Sequence, residues 1–525
     1  MKLSPRPAVF KSTSHEIIAC TILCMAQFIS VGVSNQALAL MNIVSRSFGS
    51  ADASDATWFT AAFALVVSTF IIASGKLGDI YGLKKCFILG YVWITVWSII
   101  TGVSVYANST IFFIVCRAFL GLGFSVILPN GIGLLGISYP PGSRKNLWFG
   151  ILGASAPVGA SLSCIISGAI GEYWHWSWCF YILGITAAVL SVGAYFYLPN
   201  VIAETHESSA KMDWYGAATG IAGLLLICIA WNQAPLVGWE HEAYVLVIFA
   251  IGVVLLAVFF YLEIKVIQFP LLPKEVMNLH TGLTLLGVGL GWGSFGVWTF
   301  YYWAFLLNLR GYGETLTGVT YVPLMIFGVV AALTVSYLIS RTNPSLLIFG
   351  SSWAFLVGIL MLALTPVHQT YYLMLMIQMI PLSFGMDMSF PSSSIVLSNH
   401  LPRHHQGMAG SLLTTITNYS MGLSLGIAAT VERYVAKGDT HYERLESGYR
   451  GAMWTGVGLA SAGVIVSGIL LVLSYVNNVS SSEKGNNNTN EDDKIYTDSS
   501  QDKDIDGVNM EASNDPVAPN ASEKV

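Results

Sequence analysis

Fourteen apolar runs, each close to the length that crosses a lipid bilayer, account for most of this chain of 525 residues. A membrane-spanning helix needs about 20 predominantly apolar residues. The runs cover approximately residues 17–41, 58–75, 86–105, 110–131, 147–170, 178–198, 213–232, 243–262, 282–305, 317–339, 345–364, 371–396, 407–430 and 452–476. Because a bilayer offers the backbone no hydrogen-bond partners, such runs can cross it only as helices. The sequence therefore predicts an all-α polytopic membrane protein, and the even number of spans puts both termini on one side.

The composition argues against several other classes of protein. Hydrophobic residues make up 54% of the chain and charged residues 10%, whereas soluble globular proteins carry about 25% charged residues. A formal net charge of −5 provides no basic field for nucleic acid, so no nucleic-acid partner is expected. The seven cysteines have neither paired nor metal-type spacing, which indicates buried free thiols. No catalytic grouping, phosphate-binding loop or metal-ligand spacing is visible, so we expect no enzyme, cofactor or metal.

The distribution of Lys and Arg predicts the orientation of the spans. If the N-terminus lies inside, the inside segments before the C-terminal tail collect thirteen of these residues and the outside loops collect six. Positive residues concentrate in cytoplasmic loops. We therefore expect both termini to be cytoplasmic.

The order of the runs predicts two six-helix repeats separated by two linking helices, a plan that recurs in transporters. The predicted parts are a cytoplasmic N-terminus (1–15), a first repeat (16–200), two linking helices with an inside loop (201–280), a second repeat (281–476) and a tail (477–525). The tail is rich in Ser, Asn, Asp and Glu and almost free of aromatic residues. Such a composition cannot bury enough apolar surface to fold, so we predict a disordered, acidic cytoplasmic tail.

A charged segment between the second and third runs carries the most distinctive motif. Residues 75–85 read Gly-Lys-Leu-Gly-Asp-Ile-Tyr-Gly-Leu-Lys-Lys, and we predict a short cytoplasmic loop whose glycines supply tight turns. A positively charged hairpin that only fixes the topology is the simpler interpretation. The order Gly-x-Leu-x-Asp-x-x-Gly-x-Lys, however, closely resembles the loop 2–3 signature of the major facilitator superfamily, with Ile80 and Leu83 where the family often has Arg.

This resemblance implies a function for the segment. In the family, the Asp of the motif, here Asp79, pairs with an Arg and with a helix N-terminus across the two halves and so latches one conformation. We expect the latch on the cytoplasmic side, with Arg144 as the partner of Asp79. The candidate latch residues are Gly75, Asp79, Gly82, Lys84 and Arg144.

A second charged residue, Arg117, lies within the fourth run. A charge at bilayer depth costs a few kcal/mol or more, so it normally faces a cavity or a partner. Alternatively, its long side chain could snorkel to the interface. The segment from Arg117 to Gly123 resembles the Arg-x-x-Gln-Gly-x-Gly motif of the family's fourth helix, with Leu120 in place of Gln. The resemblance implies a position near the proton-coupling and substrate region.

Asp387 is the carboxylate most clearly at membrane depth, midway along the twelfth run. If the two repeats correspond, the fourth and twelfth runs are equivalent, and Arg117 and Asp387 form a charged pair in a central cavity. Otherwise Asp387 could carry a proton, or act as a structural polar group in a broken helix. Pro391 is expected to break this helix and Pro157 to bend the fifth one. The neutral polar contacts predicted for the cavity are Asn35, Gln36 and Asn418.

Further segments resemble the fourteen-span drug:proton antiporter branch of the family, in particular the fungal aminotriazole and boron resistance transporters and the related ammonium facilitator. They include Asp213–Gly216, Trp231–Trp239, Val367–Tyr371 and Gly385–Pro391. The resemblance implies alternating access at the plasma membrane, with a vacuolar or other internal membrane as the alternative. The implied partners are a small-molecule substrate, the lipid bilayer and, in a coupled transporter, a proton.

Three functions stay open from the sequence. The first is proton-coupled export of toxic small molecules of the drug, aminotriazole or boron type. The second is uncoupled, low-affinity facilitation of a small solute such as ammonium, which the absence of an acidic residue from the first run favours. The third, of another class, is a membrane sensor that signals through the C-terminal tail.

Overall fold

A computed structural model of the chain describes residues 4–49, 53–140, 142–200, 212–267, 271–272, 278–339, 341–399 and 406–501. Within these residues the regular structure is entirely helical. The α-helices are α1 (Thr13–Ser47), α2 (Ala53–Tyr81), α3 (Leu83–Val103), α4 (Thr110–Ser138), α5 (Ser143–Tyr173), α6 (Ser177–Tyr197), α7 (Trp214–Val237), α8 (Ala243–Lys265), α9 (Leu279–Ala304), α10 (Glu314–Val319), α11 (Val322–Leu338), α12 (Pro344–Leu364), α13 (Met374–Ile377), α14 (Met379–Asn399), α15 (Gln406–Val435) and α16 (His441–Gln501). A 3-10 turn (Ser104–Ala107) follows α3, and a π-helical turn (Phe305–Leu309) extends α9.

Twelve helices of the described chain are long and apolar enough to cross a membrane, with α10 and α11 counted as one span. Two others, α14 and α15, have the length of a span but are more polar, since they carry Asp387, Asn418 and many hydroxyl side chains. Together these make fourteen long helices in the described part, so the predicted all-α polytopic fold is confirmed. Both polar helices belong to the second half of the chain.

Successive helices that each cross a membrane alternate in direction, so the bundle has two ends. We call the end at which α1 begins the N-terminal face and the end at which α1 finishes the far face. At the N-terminal face, Lys84 of α3 donates to the Leu198 carbonyl just after α6 (2.6 Å). At the far face, the rings of Phe48, Phe113 and Trp176 pack together. These contacts join helix ends that the alternation places on the same face.

The two halves, α1–α6 and α9–α15 with the first part of α16, meet along two sets of helices. α2 packs against α15, where a Cβ on Gly75 would lie 3.4 Å from Ser411 Oγ. α5 packs against α10 and α11, where Ser161 Oγ donates to the Tyr321 carbonyl (3.1 Å). The linking helices α7 and α8 pack against each other, and α7 also packs on α2 and α15. The contacts between the halves are therefore carried by α2, α5, α10, α11 and α15.

The extent predicted for the loop at residues 75–85 is wrong. α2 continues as helix to Tyr81 and α3 starts at Leu83, which leaves Gly82 as the whole turn. Gly82 has a φ of +104°, in the region that favours glycine. The apolar run ends before Lys76, but the backbone hydrogen bonds of the helix continue, because charged side chains at a membrane interface do not prevent helix formation.

Neither of the two prolines predicted to distort a helix interrupts it. α14 runs continuously through Pro391, and α5 through Pro157. Proline lacks an N–H, so Pro391 removes only the hydrogen bond that would reach the carbonyl of Asp387, four residues earlier. Pro157 packs closely against α11: a Cβ added to Gly328 would lie 2.9 Å from Pro157 Cβ. The predicted break at Pro391 is therefore wrong, although the carbonyl it leaves without a helical partner belongs to the predicted acid.

The structure differs from the sequence prediction at the start of the tail. α16 continues as helix to Gln501, whereas the sequence predicts disorder from residue 477. A helix that extends an existing span avoids the cost of nucleation, so a polar segment can continue it without an apolar face of its own. Residues Val472–Val525 form a unit separate from Met1–Leu471, and residues 502–525 lie outside the described part.

Candidate functional site

Asp387 lies at mid-depth in the bundle. α14 packs antiparallel to α12, where a Cβ on Gly350 would lie 2.8 Å from Met388 Cε and a Cβ on Gly385 would lie 3.0 Å from Phe355 Cδ1. These contacts fall on the middle of α12, so Asp387 is level with the middle of a span. Its side chain is partly exposed and forms no hydrogen bond or ion pair with any described residue. The structure thus places an unpaired carboxyl group at membrane depth.

The groups on the helices around Asp387 are neutral. Two residues further along α14, Ser389 Oγ accepts a hydrogen bond from Trp292 Nε1 of α9 (2.9 Å). On the adjacent α15, Asn418 Nδ2 donates to the Thr414 carbonyl of its own helix (2.9 Å), and no described donor reaches Asn418 Oδ1. The only N–H group of the Trp292 side chain is therefore occupied, whereas Asn418 Oδ1 can still accept a hydrogen bond. The hydroxyl groups of Ser392 and Ser393 on α14 also have no partner among the described residues, so neutral polar groups on these helices remain available for a solute.

Arg117 is enclosed within the first half. Its side chain is fully buried (0% exposed), and it donates from Nε to the Phe59 carbonyl (3.0 Å) and from Nη2 to the Val33 carbonyl (3.2 Å). The guanidinium also lies 5.0 Å from the centroid of the Phe63 ring, a cation–π contact. The alternative that Arg117 snorkels to the interface is therefore wrong. The expected ion pair with Asp387 is not formed in this structure, because Arg117 faces α1 and α2 rather than α14.

The neutral polar residues predicted for the cavity fall into two groups. Asn35 Nδ2 donates to the Val31 carbonyl (2.9 Å), and the Asn35 carbonyl accepts from Cys164 Sγ of α5 (3.8 Å). Gln36 is buried, and its Nε2 has no partner among the described residues. Both lie in the first half with Arg117, whereas Asn418 lies in the second half with Asp387. No hydrogen bond or ion pair between described residues joins the two groups.

The predicted latch partner Arg144 is bound to a different acid. Arg144 Nη1 lies 2.9 Å from Glu16 Oε2, and Tyr139 Oη donates to Glu16 Oε1 (2.7 Å). Glu16 is 3% exposed and the Arg144 side chain is 19% exposed, so this is an ion pair within the first half whose acid is buried and whose cation is partly exposed. The Asp79–Arg144 pair is therefore absent from this structure. Sequence analysis missed Glu16 because the apolar run begins one residue later, although the N-cap Ser12 marks an earlier helix start.

Asp79 lies on the last turns of α2 at the N-terminal face. Its side chain is exposed and forms no ion pair with a described residue. The position of Asp79 along the bundle follows from Gly75, which lies beside Ser411 of α15. Because α2 and α15 are antiparallel, a step of four residues forward along α2 corresponds to a step of four residues back along α15. Asp79 is thus level with residue 407, in the first turn of α15. The leading N–H groups of a helix have no partners within it.

The remaining residues of the motif make contacts within the first half. Gly78 leaves room for the Asn130 side chain of α4, because a Cβ added to this glycine would lie 1.7 Å from Asn130 Oδ1. Lys84 donates to the Leu198 carbonyl and so satisfies the end of α6. Gly82 makes the turn between α2 and α3. These contacts hold α2 against α4 and α3 against α6.

Two further acids, which follow the ends of apolar runs in the sequence, lie within helices. Glu432 of α15 accepts a hydrogen bond from Tyr301 Oη near the far face (2.6 Å). Glu263 of α8 is 1% exposed and accepts from the Leu272 amide near the N-terminal face (3.1 Å). The apolar runs end just before these acids, whereas α8 continues to Lys265 and α15 past Glu432. A hydropathy pattern alone therefore shortens these helices at the end that carries a charge.

The far face holds the halves together by its own contacts. Asn42 Nδ2 of α1 donates to Asn308 Oδ1 in the π-helical turn (2.8 Å), and Asn308 Nδ2 donates to Tyr449 Oη of α16 (2.8 Å). Glu172 Oε2 of α5 accepts from the Thr315 amide of α10 (2.9 Å). With the α2–α15 contact at the N-terminal face, the halves touch at both ends, and each set of contacts must break for its face to open.

The described residues contain no candidate metal centre, since no group of three or more His, Cys, Asp or Glu side chains could hold an ion there. All seven cysteines are free thiols, and six of them are buried.

Comparisons with known proteins agree with this architecture. The family model of the Major Facilitator Superfamily matches residues 22–426. The aminotriazole resistance protein of Saccharomyces cerevisiae is 44% identical over 474 residues (90% of this chain and 86% of that protein). The low affinity ammonium transporter of the same yeast is 40% identical over 462 residues (87% and 88%). The crystal structure of a peptide transporter POT in complex with sulfate shares the fold, with a TM-score of 0.60, 15% identity, and coverage of 87% of this chain and 94% of that chain. This chain is a multi-pass membrane transporter and belongs to the major facilitator superfamily.

Proposed function

We propose that this transporter exports small toxic molecules in exchange for protons, by alternating access at the plasma membrane. The observation that carries the proposal is Asp387, a carboxyl group level with the middle of a span and without a partner among the described residues. An ionised carboxyl at that depth costs a few kcal/mol or more, so this group takes up a proton when enclosed and releases it when water reaches it. The similarity to an aminotriazole resistance protein supports a small toxic solute as cargo.

The proposal includes a latch on the N-terminal face. Asp79 is level with the first turn of α15, across the boundary between the halves, and the N-terminus of a helix attracts an anion. Arg144 could join this latch only after leaving Glu16. Asp79 therefore engages the helix end, while Arg144 fastens α5 to α1. Opening of this face separates α2 from α15 and removes the latch.

We place the N-terminal face in the cytoplasm. The excess of Lys and Arg in the segments on this side supports that orientation. An antibody to residues 502–525 should then label permeabilised cells and leave intact cells unlabelled. Labelling of intact cells would reverse the orientation and, with it, the direction assigned to export.

The proposal is tested by solute flux in proteoliposomes with and without an imposed pH gradient, with methylammonium, borate and aminotriazole as probes. We expect the gradient to drive uphill flux of at least one probe by the native protein. Asp387→Asn should abolish that effect, because an amide cannot take up the proton. Glu432→Gln is the matched control, since it removes an acid of the same half whose partner is Tyr301. Gradient-driven flux that survives Asp387→Asn would contradict the role of Asp387.

A second candidate function is uncoupled facilitation of a small solute such as ammonium. α1 favours it, because Glu16 is the only acid of that helix and is bound to Arg144, which leaves no free carboxyl along α1. The similarity to a low affinity ammonium transporter also supports it. Downhill flux of methylammonium that is indifferent to both the gradient and Asp387→Asn would establish this function and exclude the exporter.

A further inference from the structure

A second pair of acids lies away from the proposed transport site, at the N-terminal-face end of the linking helices α7 and α8. Asp213 is the N-cap of α7, and its Oδ1 accepts from the Gly216 amide (2.8 Å). Glu263 lies near the end of α8, and its Oε2 accepts from the Leu272 amide in the segment that follows (3.1 Å). Each acid thus uses one oxygen to hold a backbone N–H and keeps the other oxygen for a further partner.

The two remaining oxygens face each other over Gly216. A Cβ on this glycine would lie 1.9 Å from Asp213 Oδ2 and 2.7 Å from Glu263 Oε1, so the oxygens are at most 4.6 Å apart, the sum of those distances. Asp213 is 9% exposed and Glu263 is 1% exposed. Both oxygens are inaccessible to solvent and have no hydrogen-bond donor. The pair therefore presents two buried acceptors to one small space.

No cation among the described residues neutralises the pair. The charged side chains on the helix ends packed here are Lys265 of α8 and Lys76 and Asp79 of α2, and none of them forms an ion pair with either acid. On α15, Tyr419 donates instead to the Leu224 carbonyl, farther along α7. Two ionised carboxylates this close and this buried repel each other and lose their hydration, whereas one proton between them forms a strong O–H···O⁻ bond.

We propose that Asp213 and Glu263 form a proton-binding site, in which one proton is shared between Asp213 Oδ2 and Glu263 Oε1. The shared proton joins the start of α7 to the end of α8 and to the segment after it. These parts also contact α2, because Ala73, Ala217 and Leu271 form one buried cluster. The site therefore fastens the linking hairpin to the helix that carries the proposed latch, and alkaline conditions at this face release that attachment.

Infrared spectroscopy of the full-length protein in lipid tests the shared proton directly. At neutral pH the native protein should show a C=O band of a protonated carboxyl that disappears in Glu263→Gln and equally in Asp213→Asn. Either substitution removes it because the amide N–H then donates to the remaining carboxylate. Glu432→Gln is the matched control and should keep the band. Loss of a different band in each variant, or of no band in either, would overturn the proposal.

Thermal unfolding as a function of pH gives an independent measurement. The folded pair holds a proton that the unfolded carboxylates release, so the stability of the native protein should fall as the pH rises through the release of that proton. Glu263→Gln should lack this fall, since its amide donates to Asp213 at every pH. The variant should therefore have the higher Tm in alkaline buffer and the lower or equal Tm in acidic buffer. Parallel pH profiles of the two proteins would also overturn the proposal.

Discussion

At the scale of single residues, the ion pair of Glu16 and Arg144 leads to an asymmetric prediction, because only the acid is buried. As side chains, Glu16 is 4% exposed and Arg144 is 19% exposed, so removal of the arginine leaves a buried carboxylate, whereas removal of the acid leaves a cation that reaches water. Loss of one partner from a buried ion pair costs about 3–5 kcal/mol. We expect Arg144→Met to lower the free energy of unfolding by about that amount and Glu16→Gln by clearly less, because the amide can still accept from Tyr139.

Thermal unfolding of the purified protein measures this asymmetry. Lys145→Met is the control, because its neighbouring ammonium donates only to the Gly136 carbonyl (2.8 Å), a single contact worth about 1–3 kcal/mol at most. The double variant of Glu16 and Arg144 should lose less than the sum of the two single variants, since both remove one shared interaction. A larger loss in Glu16→Gln than in Arg144→Met would contradict this account.

The depth of a charged residue could be predicted from the sequence, but its partner could not. Asp387 stands within a long apolar run, and that run places it inside a span. The partner of Arg144 depends on the packing of α1 against α5 and on a helix start ahead of the apolar run. The partners of Arg117 are backbone carbonyls, which carry no side-chain pattern. Only Ser12, the N-cap of α1, could have indicated that Glu16 belongs to the first helix.

At the scale of helices and turns, Gly82 is a position where a substitution would strain the backbone without causing a steric clash. Its φ is +104°, and nothing lies within 4 Å of the place of a Cβ. Gly82→Ala therefore strains the backbone without a clash, and we expect a loss of about 1–3 kcal/mol in the free energy of unfolding. Gly150→Ala is the control, in the interior of α5 with equally open surroundings, where alanine should stabilise the helix by about 0.5–1 kcal/mol. Equal thermal shifts for the two variants would contradict this interpretation.

The number of long helices follows from the apolar runs, but their ends do not. A run stops at the first charged residue, whereas the helix continues as long as the backbone satisfies its hydrogen bonds. α2 therefore extends through Lys76 and Asp79 to Tyr81. The same reason explains why α14 passes Pro391, which removes one hydrogen bond and leaves those on either side. Helix ends at a membrane interface are thus set by capping and turn residues such as Gly82 rather than by hydropathy.

For the molecule as a whole, alternating access requires α2 and α15 to separate at the N-terminal face. A Cβ on Gly75 would lie 3.4 Å from Ser411 Oγ, so side chains at these two positions would be in van der Waals contact, near enough for a disulfide to form. We expect oxidation of the double variant Gly75→Cys/Ser411→Cys to stop flux in proteoliposomes and a reductant to restore it. The background should carry Cys86→Ser, because Cys86 is the native cysteine that is not buried.

A second crosslink, placed within one half, is the control that shows whether the first crosslink stops flux by blocking the motion between the halves. A Cβ on Gly448 of α16 would lie 3.4 Å from Ala436 Cβ, just after α15, so Ala436→Cys/Gly448→Cys can form an equivalent bridge. Both residues belong to the second half and move together during rocking, so this crosslink should leave flux unchanged. If the oxidised Gly75→Cys/Ser411→Cys protein kept full flux, the α2–α15 contact would persist throughout transport. The halves would then exchange access without separating here, and a latch between Asp79 and α15 could not control the cycle.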